Sequence, residues 1–320
     1  MCLQMERVLV TGGAGFIGSH LVDRLIQDFE VIVLDDLSGG FEENLESHKG
    51  NDRFTFIKGS ILEINELCEL ESIDTVFHFA AQPDVRISID KPFMDFQINV
   101  VGSMILLEAI RKSGVKGIIF ASSGGTVYGE TDIFPTPESV AFRPISNYGA
   151  AKCAFEMYLS SYSELYDISS ISMRLANIIG PRSTHGVIYD FFRKLKHEPT
   201  RLEVLGDGTQ EKAYMYVSDV VDAAFVLAKN MKQGFLPVNV GSGERLKVSR
   251  IAELVIEEVE LDDVKIEYTG SKRGWMGDVT LTDIDISLLK SMGWSPKTTL
   301  EEGVRLYVKW LIEKFGPIHK

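Results

Sequence analysis

Short apolar, β-branched runs recur through the first half of the chain, separated by amphipathic stretches. The runs are 7–10 (RVLV), 30–34 (EVIVL), 53–57 (RFTFI), 74–79 (DTVFHF), 117–121 (GIIFA) and 170–174 (SISMR). Between them lie helix-length segments such as 16–28, 93–113 and 148–165. Strands that are apolar on both faces and alternate with helices predict a parallel sheet covered on both sides. The expected fold class is α/β, a doubly wound parallel sheet of Rossmann type.

After residue 176 the alternation loosens. A loop at 180–186 rich in Gly, Pro and charge precedes a helix at 187–197, a strand at 201–205, a helix at 218–230, a strand at 237–240 and a helix at 248–260. Ile251, Leu254 and Val255 give the last helix one apolar face, with Glu258 at the same spacing. This layout predicts a dinucleotide-binding domain over 1–176 and a smaller α/β substrate domain over 177–320. The boundary is soft, and segments near 210–245 are free to return to the first domain.

Directly after the first strand comes TGGAGFIGSH, residues 11–20. Gly12, Gly15 and Gly18 satisfy G-x-x-G-x-x-G, while Gly13, Gly15 and Gly18 satisfy G-x-G-x-x-G. A tight turn, a close backbone approach to a pyrophosphate and tight helix–strand packing each require a residue without Cβ. The helix that follows offers free N–H groups and a positive dipole end to phosphates. The second strand ends in Asp35 and Asp36, where a carboxylate accepts hydrogen bonds from a ribose diol and repels a 2′-phosphate, which favours NAD over NADP. A turn aspartate before LSGG is the alternative, and Asp36 is more easily explained that way than Asp35.

Residues 147–156 read NYGAAKCAFE, so Tyr148 and Lys152 share one helix face. A phenol is a poor base at neutral pH unless a neighbouring cation stabilises its phenolate. Lys152 and a nicotinamide supply that charge.

The net charge of −13 argues against a nucleic-acid or anionic-membrane binder. Three scattered cysteines, Cys2, Cys68 and Cys153, fit a reducing compartment. Residues 1–5 lead straight into a strand, so no signal peptide is expected, and neither is a membrane span. The expected setting is soluble and cytoplasmic. No His, Asp or Glu cluster has metal spacing, so no metal is expected; His78, inside an apolar strand, reads as a core histidine.

These motifs together resemble the extended short-chain dehydrogenase/reductases of the NAD-dependent sugar epimerase/dehydratase family, and within it the UDP-glucose (UDP-galactose) 4-epimerases. The likeness runs through TGGAGFIGSH, LDDLSGG, FHFAAQ, NVVGS, SSGGTVYG, NYGAAK, RLANIIGPR, GDGTQEKAYMYVSDV, VNVGSGE, RGWMGDV and LLKSMGWSP. It implies that Phe16 and Ile17 cover the pyrophosphate, and that Ala80, Ala81 and Gln82 pass the adenosine side. Asn99 would brace the catalytic helix. Ser60, where relatives carry Asp, and Ile61 would meet the adenine, and Ser122 would face the cofactor. On the substrate side it implies Asn177, Lys212, Tyr214 and Arg273 around the diphosphate. Val187, Val204 and Leu205 would meet the nucleobase, with Asp278 and Thr282 near the sugar. At 212 a lysine replaces an arginine fork. The resemblance also implies a homodimer built on helices 93–113 and 148–165.

The reaction then follows from what is missing. A 4,6-dehydratase of this family needs an Asp-Glu pair, and those positions are Gly125 and Thr126. A 4-epimerase needs no further acid or base, so C4 epimerisation of a UDP-sugar is expected, N-acetylated forms included because Thr282 is small. The alternatives are a uronic-acid sugar epimerase, a dehydratase or reductase, and, outside the enzymes, a dinucleotide-sensing protein without catalysis. Relatives place Ser or Thr at the position of Gly124 to bond the sugar 4-oxygen. Thr126, Ser123 or a water must substitute here, with Thr126 favoured.

Overall fold

The computed structural model describes residues 6–67, 70, 72–270 and 279–319. The first half alternates as the pattern predicts: β1 (Arg7–Thr11), α1 (Phe16–Leu25), β2 (Glu30–Asp35), β3 (Phe54–Lys58), α2 (Ile64–Leu67), β4 (Thr75–His78), α3 (Val85–Asp90), α4 (Pro92–Phe96), α5 (Ser103–Ser113), β5 (Gly117–Ser123), α6 (Asn147–Tyr166) and β6 (Ser169–Leu175). Beyond it come β7 (Asn177–Ile179), α7 (Val187–His197), β8 (Arg201–Val204), β9 (Glu211–Tyr216), α8 (Val217–Lys229) and β10 (Phe235–Val240). The chain continues through β11 (Arg245–Lys247), α9 (Val248–Glu258), β12 (Lys265–Tyr268), α10 (Ser287–Ser291) and α11 (Leu300–Phe315).

Seven parallel strands form the main sheet in the order β10-β6-β5-β4-β1-β2-β3. Strand alternation separates its two faces: Val8 and Val10 enter the core shared with α1 and α8, while Leu9 enters the one shared with α5 and α6. The chain steps from β1 outward to β3, then returns to the other side at β4. The loops after β1 and β4 therefore flank the crevice where the order reverses, the usual ligand position in such sheets.

β10 lies beside β6 at the sheet edge, with Phe235 opposite Ser170 and Val240 opposite Leu175. α8 packs Val220, Val221 and Leu227 into the same core as Leu21 and Val22 of α1. Ile284, Ile286, Leu289 of α10 and Trp294 join that core as well, so the chain beyond 177 returns to the first core in two separate stretches, α8–β10 and 284–294. Helices α7, α9 and α11 gather with β8 around a second core of Phe191, Phe192, Leu202, Ile251, Leu254, Val304 and Leu311. There β9 joins β7 in parallel and β11 in antiparallel, while β8 pairs with β12.

The helix expected over 93–113 is instead α4, a π-helical segment at Gln97–Gly102, and α5. The wider turn carries Asn99 inward, and Gly102 sits so close to Ile61 that a Cβ would stand 2.7 Å from its Cδ1. By length and composition the run Pro92–Ser113 is long and apolar enough to cross a membrane, and half of its most apolar stretch is buried within the protein.

Candidate active site

The glycine turn is a close backbone contact between β1 and the loop after β4. Gly12 has φ +72°, and a Cβ there would lie 2.5 Å from the Ala80 nitrogen. A Cβ on Gly18 would stand 2.1 Å from the Gly12 carbonyl oxygen, so α1 reaches the turn only with glycine at 18. The N-cap of α1 is Gly15, and no side chain caps the helix, which leaves first-turn N–H groups for an anion.

Asp35 closes the far side. Its carboxylate accepts from the Ala14 N–H at 2.9 Å and the Leu37 N–H at 2.8 Å. Burial holds its carboxyl above the usual range, and those backbone N–H groups oppose the shift. Each oxygen keeps lone-pair capacity for a diol. Asp36 is exposed and accepts only from the Ser38 N–H among the described residues, so it is a turn aspartate. An uncapped helix end, glycines with no room for Cβ and a carboxylate at the end of β2 form a donor set that fits NAD.

Asn99 holds the loop after β4. It accepts from the Gln82 N–H at 2.9 Å and donates to the Gln82 carbonyl at 3.0 Å and to Asp95 at 2.9 Å. The polar network of Asn99 thus runs to the Ala80–Gln82 loop directly and toward the catalytic helix through Asp95, which acts on Lys152 and Tyr148. Gln82 is turned back onto its own loop, bonding Asp84 and Asp95. Ser60 caps the turn at Ile61–Glu63, accepting from the Leu62 N–H, and Ile61 is buried beneath it. Phe16 and Ile17 stand in the first turn of α1, both partly exposed.

The start of α6 is tied down twice. Ser146 accepts from the Gly149 N–H, and Ser88 of α3 receives the Tyr148 N–H at 3.1 Å while its carbonyl receives Asn147 at 2.8 Å. Lys152 is buried, and its ammonium donates to the Ala121 carbonyl at 3.0 Å. Burial brings the Lys152 ammonium down to about 8, against the pull of Asp95 and Glu156. Burial also pushes the Tyr148 phenol up, and Asp95 adds to that shift.

The loop after β5 lies against this helix, since a Cβ on Gly149 would stand 2.9 Å from the Thr126 carbonyl oxygen. Ser123, Gly125 and Thr126 line one cleft with Val85, Leu175, Ala176, Asn177, Lys212, Val279 and Thr282. The buried Thr126 hydroxyl has no hydrogen-bond partner among the described residues. Ser122 does not face this cleft: its hydroxyl is committed to Glu156, which corrects the expected cofactor contact. Gly124 is closely confined, because a Cβ would lie 2.9 Å from the Arg174 carbonyl oxygen.

The family model for the NAD dependent epimerase/dehydratase family matches residues 8–241. The chain belongs to that family. A UDP-glucose 4-epimerase of Mycolicibacterium smegmatis is 38% identical over 317 residues, covering 96% of this chain and 99% of the relative. A solved UDP-glucose 4-epimerase of Thermotoga maritima, with UDP-glucose, is 37% identical with a TM-score of 0.87, covering 97% of this chain and 99% of its own. A UDP-N-acetylglucosamine 4-epimerase of Methanobrevibacter ruminantium, solved with UDP-N-acetylmuramic acid, is 33% identical at the same TM-score and the same coverage.

For an epimerase/dehydratase family member, the cleft brings Ser123, Thr126, Asn177, Lys212 and Thr282 together as expected substrate-side residues. Asn177 donates to the Ala213 carbonyl and Thr282 accepts from the Ala213 N–H, so β7, β9 and the 280s strand segment share that wall. Val204 does not reach it. It is fully buried in the C-terminal core, which corrects its expected nucleobase contact, whereas Leu205 beside it is 40% exposed. Tyr214 is buried in the same core, and Val187 opens α7 partly exposed. Arg273 and Asp278 lie outside the described residues. His78 bonds Thr11 and Ser103 through its two ring nitrogens, and burial holds it near 3, so it stays neutral in the core.

Sequence reasoning missed Ser88, Asp95, Glu156 and Arg174. The only local signal was Arg174 itself, a charge inside the apolar run SISMR.

Proposed function

We propose that this chain catalyses NAD-dependent C4 epimerisation of UDP-hexoses. One observation carries the reading: among the described residues lining the cleft there is no Asp, Glu or His, and the positions where family dehydratases carry carboxylates are Gly125 and Thr126. Elimination of water across C5 and C6 needs an acid and a base there, while epimerisation needs only one proton acceptor for the 4-hydroxyl.

Tyr148 takes that proton, its phenolate stabilised by Lys152. NAD, held by the Gly12–Gly18 turn and Asp35, would supply the hydride acceptor and donor for C4. Thr126 bonds the sugar 4-oxygen, its otherwise unpartnered hydroxyl supporting it over Ser123. Asn177 and Lys212 hold the diphosphate, and Leu205 with Val187 packs the nucleobase. Lysine at 212 offers a point charge in place of a planar fork. Thr282, small and against the cleft, leaves room for an N-acetyl group, so UDP-N-acetylhexosamines are substrates beside UDP-glucose and UDP-galactose. The relatives named for both sugar classes support that range.

The assembly is a homodimer formed by the 92–113 helices and α6. Phe93 at 69% exposure, with Phe96, Met157, Tyr158, Leu165 and Tyr166, makes an apolar face that supports this. The setting is cytoplasmic, in galactose metabolism.

Incubating the purified protein with a panel of nucleotide sugars, without added NADH, tests the reading. Interconversion at C4 with no net cofactor change is expected. A stable 4-keto product identifies a dehydratase, and turnover confined to UDP-uronic acids identifies the uronic-acid epimerase.

A further inference from the structure

Glu156 and Arg174 form an ion pair inside the protein, at 0% and 3% exposure. Arg174 Nη2 lies 2.9 Å from Glu156 Oε2 and its Nε 3.1 Å from the same oxygen, a forked contact. Glu156 stands one turn after Lys152 on α6, and Arg174 projects from β6. The pair touches both ends of the catalytic loop. At the near end Ser122 donates to Glu156. At the far end Arg174 Nη1 donates to the Tyr128 hydroxyl at 2.9 Å and to the Glu138 carbonyl at 2.9 Å, and Tyr128 in turn donates to Asn239 at 2.7 Å.

Two consecutive residues of β5 are therefore fastened to two consecutive turns of α6: Ala121 by Lys152, Ser122 by Glu156. Between Ser122 and Tyr128 lie Ser123, Gly124, Gly125, Thr126 and the buried Val127, and the two glycines leave the middle of the loop without side chains of its own. Gly125 has no atom within 4 Å of a Cβ built on it.

We propose that the Glu156–Arg174 pair is a clamp that positions the Ser123–Thr126 loop against the helix carrying Tyr148 and Lys152. Neither residue touches the sugar; both act through the loop. A buried ion pair is often matched or exceeded in stability by apolar residues of the same volume, so stability alone gives little reason for one here. Its geometry gives a reason: one planar fork and one carboxylate tie α6 and β6 to Ser122, Tyr128 and Glu138 at once. The catalytic part of this inference rests on the epimerase reading; the positional part does not.

Two variants separate the roles in the full-length, NAD-loaded protein. Glu156→Gln/Arg174→Met removes both charges together. Ser122→Ala/Tyr128→Phe leaves the ion pair intact and detaches the loop ends. In either variant that melts within a few degrees of the parent, kcat is expected to fall at least tenfold with KM within about twofold. Amide hydrogen exchange at 123–128 is expected to rise at least tenfold, while β1 and β2 keep their protection. Because exchange is read without turnover, an inactive parent overturns the epimerase reading alone. If the double charge variant does not fold, the hydroxyl variant decides. Unchanged kcat and unchanged loop exchange in a folded variant would overturn the clamp.

Discussion

The Lys152 ammonium lies 5.4 Å from the centre of the Tyr148 ring, one helical turn away on α6, and donates to the carbonyl of Ala121. Burial acts against both charged forms, pushing the phenol up and the ammonium down. The protein alone therefore holds a neutral Tyr148 phenol beside an ammonium that persists below about pH 8, and a bound nicotinamide cation would add to the push toward phenolate.

A pH dependence follows with a definite sign. The ammonium is present below its value of about 8 and is lost as pH rises through it, so kcat falls on the alkaline side near that pH. Asp95, Glu156 and Tyr148 face Lys152, with His78 neutral beside it. The Asp95 carboxylate favours the ammonium, so Asp95→Asn moves the alkaline limb to lower pH. A kcat–pH profile of both proteins checks this.

The unpartnered Thr126 hydroxyl makes a second prediction. Thr126→Val keeps the shape and removes a buried polar group, so thermal stability is unchanged or raised. Its kcat falls at least tenfold, while Ser123→Ala costs less than threefold. If neither substitution lowers kcat tenfold, a water takes the role.

Placing a serine at position 124, where the family resemblance implies Ser or Thr, does not improve this protein. The added Cβ meets the Arg174 carbonyl oxygen at 2.9 Å, and backbone must shift. Gly124→Ser is expected to cost about 1–3 kcal/mol, read as a lower urea midpoint, with no gain in kcat.

Thr282→Tyr fills the cleft beside Ser123 and Thr126. Turnover of UDP-N-acetylgalactosamine falls at least tenfold in kcat/KM, while UDP-galactose stays within about threefold of the parent. Equal losses on both sugars would remove Thr282 as the size filter.

Local pattern was enough to find the strands of the main sheet, the glycine turn and the Tyr148–Lys152 face, because period and spacing are properties of contiguous residues. Long-range placement was not. The run PVNV reads as a strand, but only the folded chain sets it beside β6. Ser122 looks like a cofactor-facing hydroxyl until Glu156, 34 residues later, takes its proton donor. Asn99 reads as a helix brace, but only the fold shows that its direct partners are Gln82 and Asp95. Val204 and Leu205 are adjacent apolar residues whose opposite fates depend on which strand face meets the C-terminal core.

The central claim is that hydride leaves C4 and returns to the same carbon without escaping the site. Incubating the purified protein with UDP-galactose deuterated at C4, with no added cofactor, tests it most directly. The account predicts UDP-glucose that keeps the deuterium at C4. Loss of the label from C4, or accumulation of a 4-keto sugar, would contradict it.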